Sequence, residues 1–154
     1  MSIQHAVIPD GKRHEPKGAS TATIDQVWAS DGAGSGAFRT PYFQDTVVMA
    51  DVSAVGFEII PIPQNCIIDS IVYVLHGAIT LANSTIDVTR GGDAASLGSQ
   101  VIAFTASAEG VTFTQTPSGN NTLTANTHKY LKFASDGGAT TTAKMSITIK
   151  GRMR

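Results

Sequence analysis

The segment Lys144-Met145-Ser146-Ile147-Thr148-Ile149-Lys150 alternates polar and apolar residues without a break. A period of two is what an extended strand with one buried face requires, and no helix can use it. Met145, Ile147 and Ile149 are therefore expected on a core, with their neighbours facing outward. The same period recurs from Tyr42 onward, and no segment there carries a helical one. Tyr130-Leu131-Lys132-Phe133 alternates too, and Asp136-Gly137-Gly138-Ala139-Thr140 supplies glycines between the two runs, so the spacing predicts a hairpin.

The longest apolar run, Ile67–Leu75, is largely apolar on both faces. It predicts a central strand covered on both sides, or on one side by a neighbouring subunit. Phe57–Pro63 contains Pro61 and Pro63, each removing a ladder donor, and so reads as an edge strand ending near Ile62. Further strands are expected over 46–50, 85–89, 100–105, 111–114 and 121–124. Between them lie turn compositions such as Gly91-Gly92-Asp93 and Pro117-Ser118-Gly119-Asn120. Eight or nine short strands spaced this way predict an all-β chain over residues 41–154: an antiparallel β-sandwich, jelly-roll-like.

Residues 1–40 are different. They are polar and punctuated by glycine, with no sustained apolar run, yet they hold the only tryptophan, Trp28. Ordering such a segment costs about 1–2 kcal/mol per backbone residue, which a partner surface must offset. Residues 1–40 are accordingly expected to form an extended N-terminal attachment arm.

Composition narrows the function classes. With 11 basic and 12 acidic residues the formal net charge is −1, and only 15% of residues are charged. A nucleic-acid binder needs a basic face that this chain lacks, so no nucleic-acid partner is expected. Lys150, Arg152 and Arg154 read as a solvated tail. The start of the sequence has neither the basic nor the long apolar region of a signal peptide, and no run approaches a membrane span, so a soluble, cytoplasmically made chain with no membrane partner is expected. The single cysteine, Cys66, excludes an intramolecular disulfide framework and reads as a buried, inert thiol.

Little in the sequence points to catalysis. Asp31-Gly32-Ala33-Gly34-Ser35-Gly36 looks like a phosphate loop, but Ala37-Phe38-Arg39-Thr40-Pro41 follows in place of a Lys-Ser/Thr and a helix, so it reads as a flexible turn. His5, His14, His76 and His128 are scattered without metal-ligand spacing, and His76 and His128 read as exposed strand-end residues. No serine lies in a nucleophile elbow. Asp45, Asp51, Glu58 and Asp69 have no partner that spacing identifies. No catalytic residue, metal or cofactor is expected.

His14-Glu15-Pro16-Lys17-Gly18-Ala19-Ser20-Thr21-Ala22 followed by Gln26-Val27-Trp28-Ala29-Ser30-Asp31-Gly32-Ala33-Gly34-Ser35-Gly36 resembles an N-terminal motif of tailed-bacteriophage capsid decoration (cement) and head-fibre proteins. The resemblance covers about a quarter of the chain, and Asp25 stands where the motif has glycine. It implies a non-enzymatic virion protein that decorates and stabilises the capsid exterior. It also implies a homotrimer whose partner is the major capsid protein, located on the capsid surface after synthesis in the host cytoplasm. Pro16, Lys17, Val27, Trp28 and Phe38 are the expected capsid-binding anchors, since proline restricts the free arm and the aromatics offer the largest apolar contact. The alternative is a tail-fibre, baseplate or receptor-binding module that recognises a host glycan or protein.

Overall fold

The computed structural model describes residues 26–30 and 36–154. The chain divides into two units, Met1–Pro41 and Tyr42–Arg154, which are taken separately.

In the first unit, β1 (Val27–Ser30) and β2 (Gly36–Arg39) form a two-stranded antiparallel sheet. Val27 is registered with Arg39 and Trp28 with Phe38. Arm residues thus pair with one another, a strand pairing the sequence reading did not anticipate. β-Branched and aromatic residues on either side of a glycine-rich connection favour such a pair.

The second unit is all-β. Its strands are β3 (Tyr42–Met49), β4 (Val55–Pro61), β5 (Cys66–Leu75), β6 (Ser84–Arg90), β7 (Ser96–Ile102), β8 (Thr112–Gln115), β9 (Thr122–Leu123), β10 (Tyr130–Asp136) and β11 (Met145–Met153). One sheet has the order β3-β11-β5-β8, with β9 pairing the start of β5; the other has the order β4-β10-β6-β7. The chain changes sheet at nearly every connection, staying in one sheet at β6–β7 and β8–β9. Two four-stranded paths linked in this way form a jelly roll.

Between the sheets lies one core, built from alternate residues of both: Ile68, Ile71, Tyr73 and Leu75 of β5 meet Ile86, Val88, Leu131 and Phe133 of the facing sheet. Its few polar groups are paired. The Tyr73 hydroxyl donates to Gln115 Oε1, and Ser135 Oγ donates to the Val52 carbonyl at 2.7 Å. Among the described residues no buried side-chain polar atom lacks a hydrogen-bond partner, as burial in a low-dielectric interior demands.

Several expectations hold. β5 is central and β4 is an edge strand that stops at Pro61. Met145, Ile147 and Ile149 are fully buried, as are Leu131 and Phe133.

The expected hairpin between β10 and β11 does not exist. β10 pairs with β4 and β6, whereas β11 pairs with β3 and β5 in the opposite sheet. Alternation fixes which face of a strand is buried, and either sheet of a sandwich satisfies it. Here both strands present their apolar residues to one core from opposite sides. The glycines serve the crossing. Gly137 has φ +69°, and a Cβ there would lie 2.7 Å from the Val55 nitrogen; a Cβ on Gly138 would lie 2.3 Å from the Asn83 carbonyl oxygen. Nothing larger passes between these backbones.

Two further corrections concern strand limits. β7 starts at Ser96 and ends at Ile102, while Phe104–Ala106 forms a 3-10 turn rather than the end of a strand. The expected solvated tail is instead the last part of β11, where Arg152 forms a forked ion pair with Asp69 at 2.8–3.1 Å.

Candidate functional site

Of the expected anchors, Pro16 and Lys17 lie outside the described residues. Val27 is in β1 with half its surface (51%) exposed. Trp28 and Phe38 are direct cross-strand partners in backbone register. The strand pair therefore brings two of the five anchors to one level of a short ribbon, a juxtaposition that their separation of ten positions in sequence does not reveal.

The polar groups of the sandwich are largely engaged with each other. At the β6–β7 turn the Arg90 guanidinium grips Asp93, with Nε at 2.9 Å and Nη2 at 2.6 Å, while Nη1 donates to the carbonyls of Asn120 and Thr122. His128 is buried at 9% exposure, contrary to the expected exposed position. Its Nδ1 accepts the Thr124 N–H at 2.9 Å, and Nε2 lies 3.8 Å from Asp93 Oδ2. These contacts fasten the β6–β7 turn to the loop before β10. Hydrogen bonds from the Arg90 guanidinium, then from the Ala95 N–H, hold the Asp93 carboxyl down at about 2. Beside the cluster is an open depression of ≈ 440 Å³, lined in part by Tyr130 and Lys132.

Three carboxylates left unpaired by the sequence also find partners. Asp69 holds Arg152, Asp45 accepts the Thr46 N–H, and Asp51 accepts from the Ser53 N–H and hydroxyl and from the Ala143 N–H. Asp51 caps the loops that close one end of the sandwich, and its carboxyl is held below the usual range, chiefly by the Ser53 hydroxyl. One contact escaped the sequence altogether: the exposed His76 Nε2 lies 2.7 Å from Ser146 Oγ across β5 and β11. A serine nucleophile needs its histidine oriented by a third group. Among the described residues no carboxylate is hydrogen-bonded to this ring, so the pair stands as a surface hydrogen bond. No cluster of three His, Cys, Asp or Glu suited to a metal occurs among the described residues. Cys66 is buried as expected, and burial raises its thiol to about 11. No described helix is long and apolar enough to cross a membrane.

An apolar row on the described surface escaped sequence reasoning. On the outer face of the edge strand β4, Val55, Phe57 and Ile59 are 83%, 61% and 45% exposed. The Lys132 ammonium sits over the Phe57 ring, 4.6 Å from its centroid. The signal was present as the alternation Val55-x-Phe57-x-Ile59, but alternation does not say that the outward set of residues is the apolar one.

No family model matches the chain, and no curated protein matches it significantly. Among solved structures it is similar to a chain of the cyanophage Pam1 capsid asymmetric unit, with 14% identity over 88% of this chain and 99% of that one, at a TM-score of 0.49. A Bacillus endospore appendage protein, from a family of disulfide-linked pili, is similar at 16% identity over 75% of this chain and 92% of that one, at a TM-score of 0.39.

Proposed function

We propose that the chain is a non-enzymatic virion structural protein, a cement protein that decorates and stabilises a phage capsid from outside. In this reading residues 1–40 are the attachment arm and residues 41–154 the module it attaches. One observation carries it: every described core residue belongs to the second unit, which closes its sandwich with its own side chains. Such a module can be carried by an arm that is free to serve another surface. The resemblance of the arm to decoration and head-fibre proteins supplies the surface, the major capsid protein, and a homotrimeric assembly. Pro16, Lys17, Val27, Trp28 and Phe38 are its proposed anchors. Three arms on one rigid body make attachment multivalent, so that weak single contacts give a firm hold. The engaged state of Arg90, Asp93, Asp69 and Asp51 supports a structural role for the polar groups in preference to a catalytic one.

Binding to purified capsids tests this reading. The chain lacking residues 1–40 should stay folded and lose capsid association. Trp28→Ala in the full chain should weaken association at least tenfold with an unchanged melting temperature. Truncated protein that still coats capsids would overturn the arm, and a lowered melting temperature with unchanged attachment would make Trp28 a packing residue.

A second reading rests on the depression beside Tyr130. A partly exposed aromatic next to Lys132 and the Arg90–Asp93 pair is a surface on which a sugar ring can stack. It supports a receptor-binding or fibre module that recognises a host glycan, and a Tyr130→Ala variant that loses binding to host cells would favour it.

A further inference from the structure

The backbone at the free edge of β4 can be read from its one partner. β4 pairs only with β10 among the described residues. The Ile62 N–H donates to the Lys129 carbonyl at 2.9 Å, which marks that pair as hydrogen-bonded, and Pro61, with no N–H, stands opposite Tyr130. In an antiparallel ladder bonded pairs alternate with non-bonded ones. Ile60, Glu58 and Gly56 therefore turn their amides toward β10, and Ile59, Phe57 and Val55 turn theirs to the open edge. These last three also carry the exposed apolar side chains. A strand edge that is both unpaired and apolar is a template for another strand; the register of β4 with β10 has no bulge, and the one charge on β4, Glu58, lies half-buried on the opposite row.

We infer that this edge is an interface with a second copy of the same chain, formed by antiparallel pairing of β4 with β4 about a two-fold axis at Phe57. The register is self-complementary. With Phe57 facing Phe57, Val55 faces Ile59 of the second copy, and all the open-edge amides meet, giving about six new backbone hydrogen bonds. Glu58 faces Gly56 of the second copy, so the two carboxylates are not opposed, and the space where a Gly56 Cβ would sit is open. No like charges meet across the joint. Val55 is registered with Asp136 and Ile59 with Lys132, so each outer row across the joint runs Asp136, Val55, Ile59, Lys132. The central row runs Ala134, Phe57, Phe57, Ala134. No other two-fold register about these three residues pairs every apolar side chain while keeping acid and base at opposite ends. Pro61 ends the ladder, because it cannot donate. A five-residue strand pair is a small interface, so association should depend on concentration. The contact is two-fold, and it adds to a three-fold assembly without replacing it.

The register predicts a specific cross-link. In the full chain, Phe57→Cys places two thiols on the axis at a Cα separation of about 5.5 Å, too wide at Cβ for an unstrained disulfide but within reach of a short bifunctional thiol reagent. Val55→Cys or Ile59→Cys alone places equivalent thiols about 14 Å apart, four residues out of step. With a bifunctional thiosulfonate that spans only a few ångströms, Phe57→Cys should form a covalent dimer at least tenfold faster than either single variant. An equimolar mixture of the Val55→Cys and Ile59→Cys proteins should cross-link to each other. Sedimentation should show an even-numbered assembly that Phe57→Glu weakens at least tenfold with its melting temperature unchanged, since Phe57 is exposed. Equal cross-linking of all three single variants, or none, would overturn the pairing. So would an assembly whose size Phe57→Glu leaves untouched, or protection of the Phe57→Cys thiol by capsids alone. The experiment involves no capsid in its supporting outcomes, so it succeeds or fails independently of the proposed function.

Discussion

The Tyr73 hydroxyl and the Gln115 side-chain carbonyl meet inside the sandwich, joining the neighbouring strands β5 and β8 through side chains as well as backbone. Tyr73 is fully buried, and burial pushes its hydroxyl far above the ordinary phenol value. It is thus a neutral donor at neutral pH, and Gln115 Oε1 accepts from it. The Gln115 amide nitrogen reaches the Leu97 carbonyl at 3.5 Å, so the glutamine ties β5 through β8 to β7 in the other sheet.

Removing the hydroxyl alone should therefore be costly. Tyr73→Phe leaves a buried carbonyl without its donor and should lower unfolding free energy by about 1–3 kcal/mol. Gln115→Leu with Tyr73→Phe removes both polar partners, and the double variant should lose less than the sum of the single losses. Denaturant melts of the four proteins give the coupling.

Gly138 should tolerate no side chain. Gly138→Ala sets a Cβ against the Asn83 carbonyl and must displace the crossing from β10 to β11. A loss of about 1–3 kcal/mol is expected, read by thermal melting. Gly56→Ala, at an exposed position with no neighbour within 4 Å, is the control and should change little.

Asp93 should give the fold an acid limb. Its folded value of about 2 lies below the ordinary carboxyl value of 3.8. A group depressed in the folded state stabilises above its unfolded value, and that contribution is lost as pH falls toward the folded one. Melting temperatures measured from pH 5 to pH 2 should fall through the window from about 4 to about 2. Asp93→Asn should be less stable at pH 5 and flatter below it. Direct titration of the carboxyl by NMR should find it still ionised at pH 3.

Cys66 should report unfolding. A buried thiol raised to about 11 presents almost no thiolate at neutral pH. Labelling by an aromatic disulfide reagent should be slow in the folded protein and should accelerate in step with the unfolded fraction as denaturant is added. Fast labelling under native conditions would show that the start of β5 opens on its own.

What the sequence determined by itself is the set of local choices. Alternation in 144–150 and 130–133 fixed which side chains are buried, because period two leaves a strand only one apolar face. Pro61 and Pro63 fixed β4 as an edge, because a residue without an N–H cannot serve a ladder on both sides. The apolar run 67–75 fixed β5 as a centre. Tertiary structure decided whatever depends on partners. β10 and β11 lie in opposite sheets, which alternation permits because a sandwich core accepts an apolar face from either side, and Gly137 and Gly138 allow the close backbone passage that the crossing requires. Asp93 with His128, Asp69 with Arg152, and His76 with Ser146 are separated by 35, 83 and 70 positions. No spacing rule reaches that far, since these residues become neighbours only when the sheets are assembled. Likewise, the apolar character of Val55, Phe57 and Ile59 is plain in the sequence. Only the order of strands shows that this row faces outward at an edge unpaired among the described residues.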